Sequence, residues 1–234
     1  MMSTPGWARL QARLQARHAE RLTPAQWNRL VAVDSLEAFI SRGRETALLG
    51  WLEGVDPFAD AHHLEERMRM VWIRQVGMVA AWTPKAWRAA VLWLAVLPDL
   101  GVAAWRRGRM GADYPWFERL EGLERLGLGQ SEDPFAGWVA RWQALWPPEA
   151  EARRALTGLV ELLELYRSRL HDHDAPESWT LWAELRAELG LRFRRLALQP
   201  GALFVHLGLT GLELLRLRGE LCRRALFVHK EQAA

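Results

Sequence analysis

The prolines of this chain stand where helices are expected to begin. A residue that caps helix N-termini, or a turn, comes directly before several of them, and proline is favoured as the first helical residue. Isoleucine occurs only at positions 40 and 73, and no long window alternates apolar and polar residues, so strands are not expected. We therefore predict an all-α protein. The expected helix starts are Thr23-Pro24, Asp56-Pro57, Thr83-Pro84, Asp133-Pro134, Pro147-Pro148, Ala175-Pro176 and Gln199-Pro200.

The predicted helices follow one another closely along the chain. We expect about ten of them, joined by short links that favour antiparallel neighbours and hence a bundle of helical-hairpin repeats. The turn residues Gly129-Gln130-Ser131 predict an amino-terminal bundle, residues 1–130, and a carboxy-terminal bundle, residues 131–234. The predicted helices cover 6–21, 24–32, 35–52, 57–81, 84–97, 99–109, 115–127, 134–146, 148–171, 176–198 and 201–227.

Fourteen tryptophans are an unusual load for 234 residues. Each indole can bury roughly 150–250 Å², and its N–H needs an acceptor. Packing between helices is the favoured interpretation, and contact with a partner is the alternative. Trp138, Trp142 and Trp146 recur every four residues, which places them along one side of a helix.

Charge and cysteine content exclude several classes of protein. The 31 Lys and Arg residues against 28 Asp and Glu give a net charge of +3, which predicts solubility and not a nucleic-acid partner. Cys222 is the single cysteine, so no internal disulfide, all-cysteine zinc site or iron–sulfur cluster can form. Arg9, Arg13 and Arg17 interrupt the first eighteen residues, so no secretory signal is expected. We expect a cytoplasmic protein.

Two apolar stretches, residues 89–105 and 196–215, raise the question of a membrane span. Pro98-Asp99 interrupts the first, and the second contains His206 and Glu213. A span needs about 20 predominantly apolar residues. Both stretches are predicted to be buried helices.

Metal ligands are suggested at two places. His171-Asp172-His173-Asp174 is a run of four possible ligands, and His62 and Glu66 stand four apart beside His63 and Glu65. Helical metal sites need ligands at such spacing on facing helices, and the sequence shows no second ligand pair for a facing helix. We expect solvated helix ends rather than a metal site.

Catalytic and nucleic-acid motifs are similarly weak. Cys222 has Arg223 and Arg224 after it, which could activate a thiol, but a buried structural cysteine is favoured. No serine elbow or phosphate-binding glycine loop occurs, so we expect no enzyme, no catalytic residue and no cofactor. A possible nucleic-acid stripe, for which the charged end of a helix is the preferred interpretation, comprises Arg88, Trp105, Arg106, Arg107 and Arg109.

An internal repeat relates two helical segments. Residues 98–109 run from a proline through apolar positions to Arg107-Gly108, and residues 212–221 run similarly to Arg218-Gly219. Both follow an apolar helix that starts at a proline, and the flanking positions are apolar in both copies. A duplicated helical unit would produce this pattern.

These residues resemble the C-type stalk subunits, also called d-type, of V-type and A-type rotary ATPases, whose helical repeats close on a basic residue and glycine. The order of the upstream segments is also similar to that family: an arginine-bearing helix at 8–13, Leu22-Thr23-Pro24, the helix 34–40 leading to Thr46, then 64–68 and 87–97. The resemblance covers about residues 7–110 and 205–227 and indicates a short, divergent member.

The resemblance implies a mechanical role. It predicts a non-catalytic central-stalk adaptor that links the shaft of the soluble ATPase head to the membrane rotor ring and is held at the membrane through that complex. Its partners would be other ATPase subunits, with no nucleic acid and no metal. The alternatives are a helical protein-interaction or nucleic-acid-binding regulatory protein, and a metal-binding helical bundle.

Overall fold

The structure, a computed structural model, describes residues 4–106, 123–128, 133–172 and 175–231. Every regular element in these ranges is helical, which confirms the predicted all-α class. The α-helices are α1 (Thr4–Ala19), α2 (Pro24–Val31), α3 (Leu36–Arg44), α4 (Leu49–Leu52), α5 (Ala61–Trp82), α6 (Lys85–Leu92), α7 (Leu97–Arg106), α8 (Pro134–Ala144), α9 (Ala150–Asp172), α10 (Ala175–Arg195) and α11 (Pro200–Glu231), with a 3₁₀ turn at Trp93–Val96 between α6 and α7.

Side-chain caps fix several helix starts where the sequence predicts them. Thr23 and Gln26 form a reciprocal capping box at α2, with the Gln26 N–H donating to Thr23 Oγ1 at 3.2 Å. Ser35 and Asp133 accept backbone N–H groups at the starts of α3 and α8. Such caps satisfy backbone donors that have no partner inside the helix.

One predicted start is displaced along the chain, and a second has the predicted position but not the predicted cap. Asp56-Pro57 lies in a turn, and α5 begins at Ala61 because Asp60 accepts the His63 N–H at 2.8 Å. Thr83 does not cap α6, because its hydroxyl donates to the Val79 carbonyl at the end of α5, at 2.7 Å. The predicted single helix 35–52 is broken between α3 and α4, and the predicted helix 115–127 lies mostly outside the described residues.

The chain divides into two compact units that differ from the predicted pair, 1–130 and 131–234. Unit 1 comprises Met1–Gln75 and His173–Ala234, and unit 2 comprises Val76–Asp172. The reason is that α11 returns to pack against α1, α3 and α10. Unit 1 is therefore built from both ends of the chain, and a boundary at residue 130 falls inside unit 2.

Unit 1 is organised around the first half of α11. Every residue from Pro200 to Leu207 is buried, and a Cβ at Gly211 would already lie in van der Waals contact with Trp72, at 3.4 Å. Residues 200–215 of the second apolar stretch thus form a largely buried helix, as predicted, whereas residues 196–199 form the turn before it. Within the described ranges, no helix is both long and apolar enough to cross a lipid bilayer.

Unit 2 is organised around tryptophans. Trp138, Trp142 and Trp146 follow one another along the end of α8, with ring centroids 5.3 and 5.1 Å apart, and all three are buried. Trp138 and Trp142 lie on one side of α8, as predicted, whereas Trp146 lies just after the end of the helix. Trp142 Nε1 donates to the Ala90 carbonyl of α6 at 3.1 Å. Trp87 of unit 2 is also buried, as are Trp7, Trp27 and Trp72 of unit 1, in line with core packing as the favoured interpretation.

Candidate functional site

The predicted metal-ligand candidates have other partners. His63 Nδ1 lies 2.9 Å from Asp60 Oδ1 at an exposed helix start, and Glu65 forms an ion pair with Arg218. Within the described part of the chain, no three His, Cys, Asp or Glu side chains gather as metal ligands would. The side chains of the 171–174 run lie outside the described residues.

Cys222 is half-buried beside the start of α5. Its thiol donates to the Ala61 carbonyl at 3.6 Å, and burial raises the pKa of the thiol above its ordinary value. A raised pKa disfavours the thiolate, which is the nucleophilic form. This environment supports the structural cysteine that we favoured from the sequence.

The predicted basic stripe is described only in part. Arg88 donates through Nε to the Ala80 carbonyl at 3.2 Å, which ties its guanidinium to the end of α5. The side chains of Trp105 and Arg106, and residues 107 and 109 entirely, lie outside the described residues. Nucleic-acid binding by this stripe therefore stays untested.

A buried arginine cluster is the feature that the sequence patterns did not reveal. Arg21, in the link between α1 and α2, donates to three groups of α11: Thr210 Oγ1 at 2.7 Å, the His206 carbonyl at 3.1 Å and Glu213 Oε2 at 3.4 Å. The Arg21 side chain is only 11% exposed. We call Arg21, His206, Thr210 and Glu213 the Arg21 cluster. It binds the amino-terminal segment to α11.

The cluster contains one histidine, His206, and a second, His18, lies near it. His206 is buried, and its ring centroid lies 6.1 Å from that of Phe193, which in turn lies 4.6 Å from His18. Burial, with Arg21 as the next cause, lowers the pKa of His206 to about 3. Burial likewise lowers the pKa of His18. Both rings therefore favour the neutral form in the folded protein.

Burial also lowers the pKa of Arg21 to about 10, while the Glu213 carboxylate opposes that shift. The guanidinium thus remains charged at neutral pH and keeps its three acceptors. Within the cluster, Arg21 Nε, His206 Nδ1 and Glu213 Oε1 are buried without a hydrogen-bond partner. Buried polar atoms of this kind lower stability, so part of the stabilisation from the three Arg21 hydrogen bonds is offset.

A second buried arginine, Arg224, binds backbone carbonyls at the C-terminal end of α2. Arg224 of α11 donates to the carbonyls of Val31 (2.8 Å) and Val33 (2.6 Å), and it bonds the Glu220 carboxylate at 2.5 Å. Its guanidinium lies 4.1 Å from the Phe39 ring centroid. The last carbonyls of a helix lack intrahelical partners, and Arg224 supplies a donor to that of Val31 and to the Val33 carbonyl just beyond α2.

Helical spacing is the sequence signal that would have pointed to the residues of α11 in these contacts. His206, Thr210, Glu213 and Leu217 follow at steps of four, three and four, so the polar members share a helix face with buried leucine. Arg224 continues the same face three residues after the buried Leu221. Arginine on such a face indicates a paired, buried side chain.

Comparisons of the chain with protein-family models, with curated proteins and with solved structures found no match.

Proposed function

We propose that this chain is a non-catalytic adaptor of a V-type or A-type rotary ATPase, which couples the shaft of the soluble head to the membrane rotor ring. The proposal rests on the resemblance of residues 7–110 and 205–227 to that family and on the way in which unit 1 is held together. A coupling element transmits force only if its helices do not shift against one another under load.

The buried arginine contacts are the observation that carries the proposal. Arg224 joins α11 to the Val33 carbonyl, 191 residues away in sequence, and Arg21 joins the end of α1 to α11 across 185 to 192 residues. Charged hydrogen bonds with little water access are directional and strong. They resist sliding of one helix along another, which apolar packing alone permits more readily.

The chemical character of the candidate residues agrees with a role without a reaction of its own. The described arginines that are buried bond to backbone carbonyls, Thr210 or carboxylates of the same chain, and the Cys222 thiol is held in its protonated form by its raised pKa. These groups are engaged in maintaining the fold.

Purification of the tagged chain from gently solubilised membranes of its source cells tests the proposal. We expect the ATP-hydrolysing subunits, the central shaft and the rotor-ring subunit to co-purify with it in fixed ratios, as identified by mass spectrometry. Recovery of the tagged chain without any ATPase subunit, from cells that express such an ATPase, would contradict the proposal.

A further inference from the structure

The segment between α3 and α5, residues 45–60, has a backbone that two arginines hold from outside. Arg44 donates through Nε to the Leu52 carbonyl at 3.2 Å, and Arg67 donates to the Glu53 carbonyl. A loop fixed by such bonds has little conformational freedom to lose when it binds a partner. We call this stretch the arginine-held segment.

Side-chain packing fixes the same segment from within. Leu48, Leu52 and Val55 are buried, and Leu52 packs so closely on Gly43 that no room remains for a Cβ there. Near the end of the segment, Asp56 Oδ1 accepts the Phe58 N–H at 2.9 Å. The alternation of buried and exposed positions is therefore set by the fold.

Two large apolar side chains of this segment face solvent. Phe58 is 84% exposed and Leu49 is 54% exposed. An exposed aromatic on a rigid frame is typical of an anchor that inserts into a partner's apolar pocket. Because the frame is already ordered, binding would cost little conformational entropy.

The charge of the residues around Phe58 and Leu49 indicates which kind of partner would bind them. The segment contains four exposed carboxylates, of Glu45, Glu53, Asp56 and Asp60, and no lysine or arginine of its own. These carboxylates outnumber the two guanidinium groups, of Arg44 and Arg67, that contact its backbone, although the whole chain carries a net charge of +3. Acidic groups around an apolar anchor repel anionic lipid and nucleic acid and attract basic protein surfaces. Charge complementarity thus points to a basic protein.

We propose that the arginine-held segment is a docking surface for a lysine- and arginine-rich amphipathic helix of a partner protein, which receives Phe58 and Leu49 on its apolar face. The inference depends on the proposed function for the existence of a stable partner, but not on which subunit supplies the helix. Its acidic rim would speed association and make binding sensitive to salt.

Site-specific photocrosslinking in the source cells tests this surface. The full-length chain carries p-benzoylphenylalanine in place of Phe58, and a matched chain carries it in place of Leu191, a leucine of α10 that is 41% exposed. The crosslinked peptide is identified by mass spectrometry. We expect a peptide with net positive charge and helical apolar spacing, at about tenfold higher yield from position 58.

Substitutions within the arginine-held segment separate the electrostatic contribution to crosslinking from the apolar one. Glu45→Gln combined with Glu53→Gln should lower the crosslinking yield several-fold at low salt and little at high salt, because only the screened attraction is removed. Leu49→Ser should lower the yield at either salt concentration, because it removes apolar contact. Circular dichroism of each purified variant verifies that the helices are retained.

Several outcomes would overturn the inference. They are a crosslink to an acidic peptide, to a second copy of this chain or to lipid, and equal yields from positions 58 and 191. If ATPase subunits co-purify but position 58 captures no basic helix of any protein, the docking surface fails and the proposed function stands. If position 58 captures a basic helix of an unrelated protein and no ATPase subunit co-purifies, the docking surface stands and the adaptor role fails.

Discussion

The helices of the two units are joined by different kinds of side-chain hydrogen-bond donor. In unit 1, buried arginines donate to the carbonyls of distant helices, as Arg224 does to Val31 and Val33. In unit 2, indole N–H groups do so: Trp93 and Trp138 each donate to the other's carbonyl, at 3.1 and 3.3 Å. The tryptophans also contribute buried apolar area, whereas the arginines contribute charge and direction. The comparison predicts different responses to substitution and to pH.

The largest expected effect is from truncating Trp142 in unit 2. Trp142→Ala should lower the free energy of unfolding by about 4 kcal/mol, because it opens a cavity between α6 and α8 and leaves the Ala90 carbonyl without this donor. Trp142→Phe, which keeps most of the ring volume, should cost less than half as much. Urea denaturation measures both values, and equal losses would show that packing is not the main contribution.

Amide hydrogen exchange of Trp142→Ala tests whether the two units lose stability separately. We expect amide protection to fall in α8 and α9 and to persist in α10 and α11, since the substituted side chain belongs to unit 2. An equal loss of protection in α11 would mean that the two units unfold together.

Removal of the Arg224 contacts should have the next largest effect, in unit 1. Arg224→Met should cost about 3 kcal/mol, because the carbonyls of Val31 and Val33 lose a buried donor and Glu220 loses its buried cation. Arg223→Met is the matched control: Arg223 bonds the same Glu220 carboxylate but is exposed, so about 0.5 kcal/mol or less is expected. Thermal and urea unfolding of the two variants measure the difference, and comparable losses would refute a special role for the buried arginine.

The pH dependence of stability should also distinguish the two units, because the buried His206 belongs to unit 1. In the folded state the pKa of His206 is lowered to about 3 from the ordinary value of 6.5, so the unfolded state binds the extra proton between these values. The free energy of unfolding therefore falls as the pH falls, by about 2 kcal/mol between pH 6.5 and 5.

His206→Gln should remove much of that slope, and the remaining part includes His18, whose pKa is lowered in the same direction. His63→Gln, at an exposed ring, is the control. Urea titrations at several pH values measure the slope, and an unchanged slope in His206→Gln would contradict the neutral, buried state of this ring.

The smallest effect is expected at the start of α8. Asp133 caps the helix and forms an ion pair with Arg167, at 2.7 Å, with both side chains substantially exposed. Asp133→Ala should lower stability by about 1 kcal/mol through the lost cap, whereas Asp133→Asn keeps a capping side chain and should lose only a few tenths. Melting temperatures of the two variants test this order, and equal shifts would assign the effect to the ion pair instead.

Local chemistry explains which parts of the fold could be predicted. The helix starts at Thr23-Pro24 and Asp133-Pro134 and the tryptophan series from Trp138 depend on residues close in sequence, and their residue types and spacing identify them. The two units could not be predicted, because they depend on the return of α11 to the amino-terminal helices. The Arg21 cluster was missed for the same reason, since its members lie up to 192 residues apart.

The most direct test of the adaptor role measures the coupling of ATP hydrolysis to ion pumping in membrane vesicles of the source organism. Deletion of the gene for this chain should abolish ATP-driven ion pumping and release ATP hydrolysis from the membranes into the soluble fraction, and the wild-type chain supplied in trans should restore both. Pumping at the wild-type rate in vesicles that lack the chain would contradict the account.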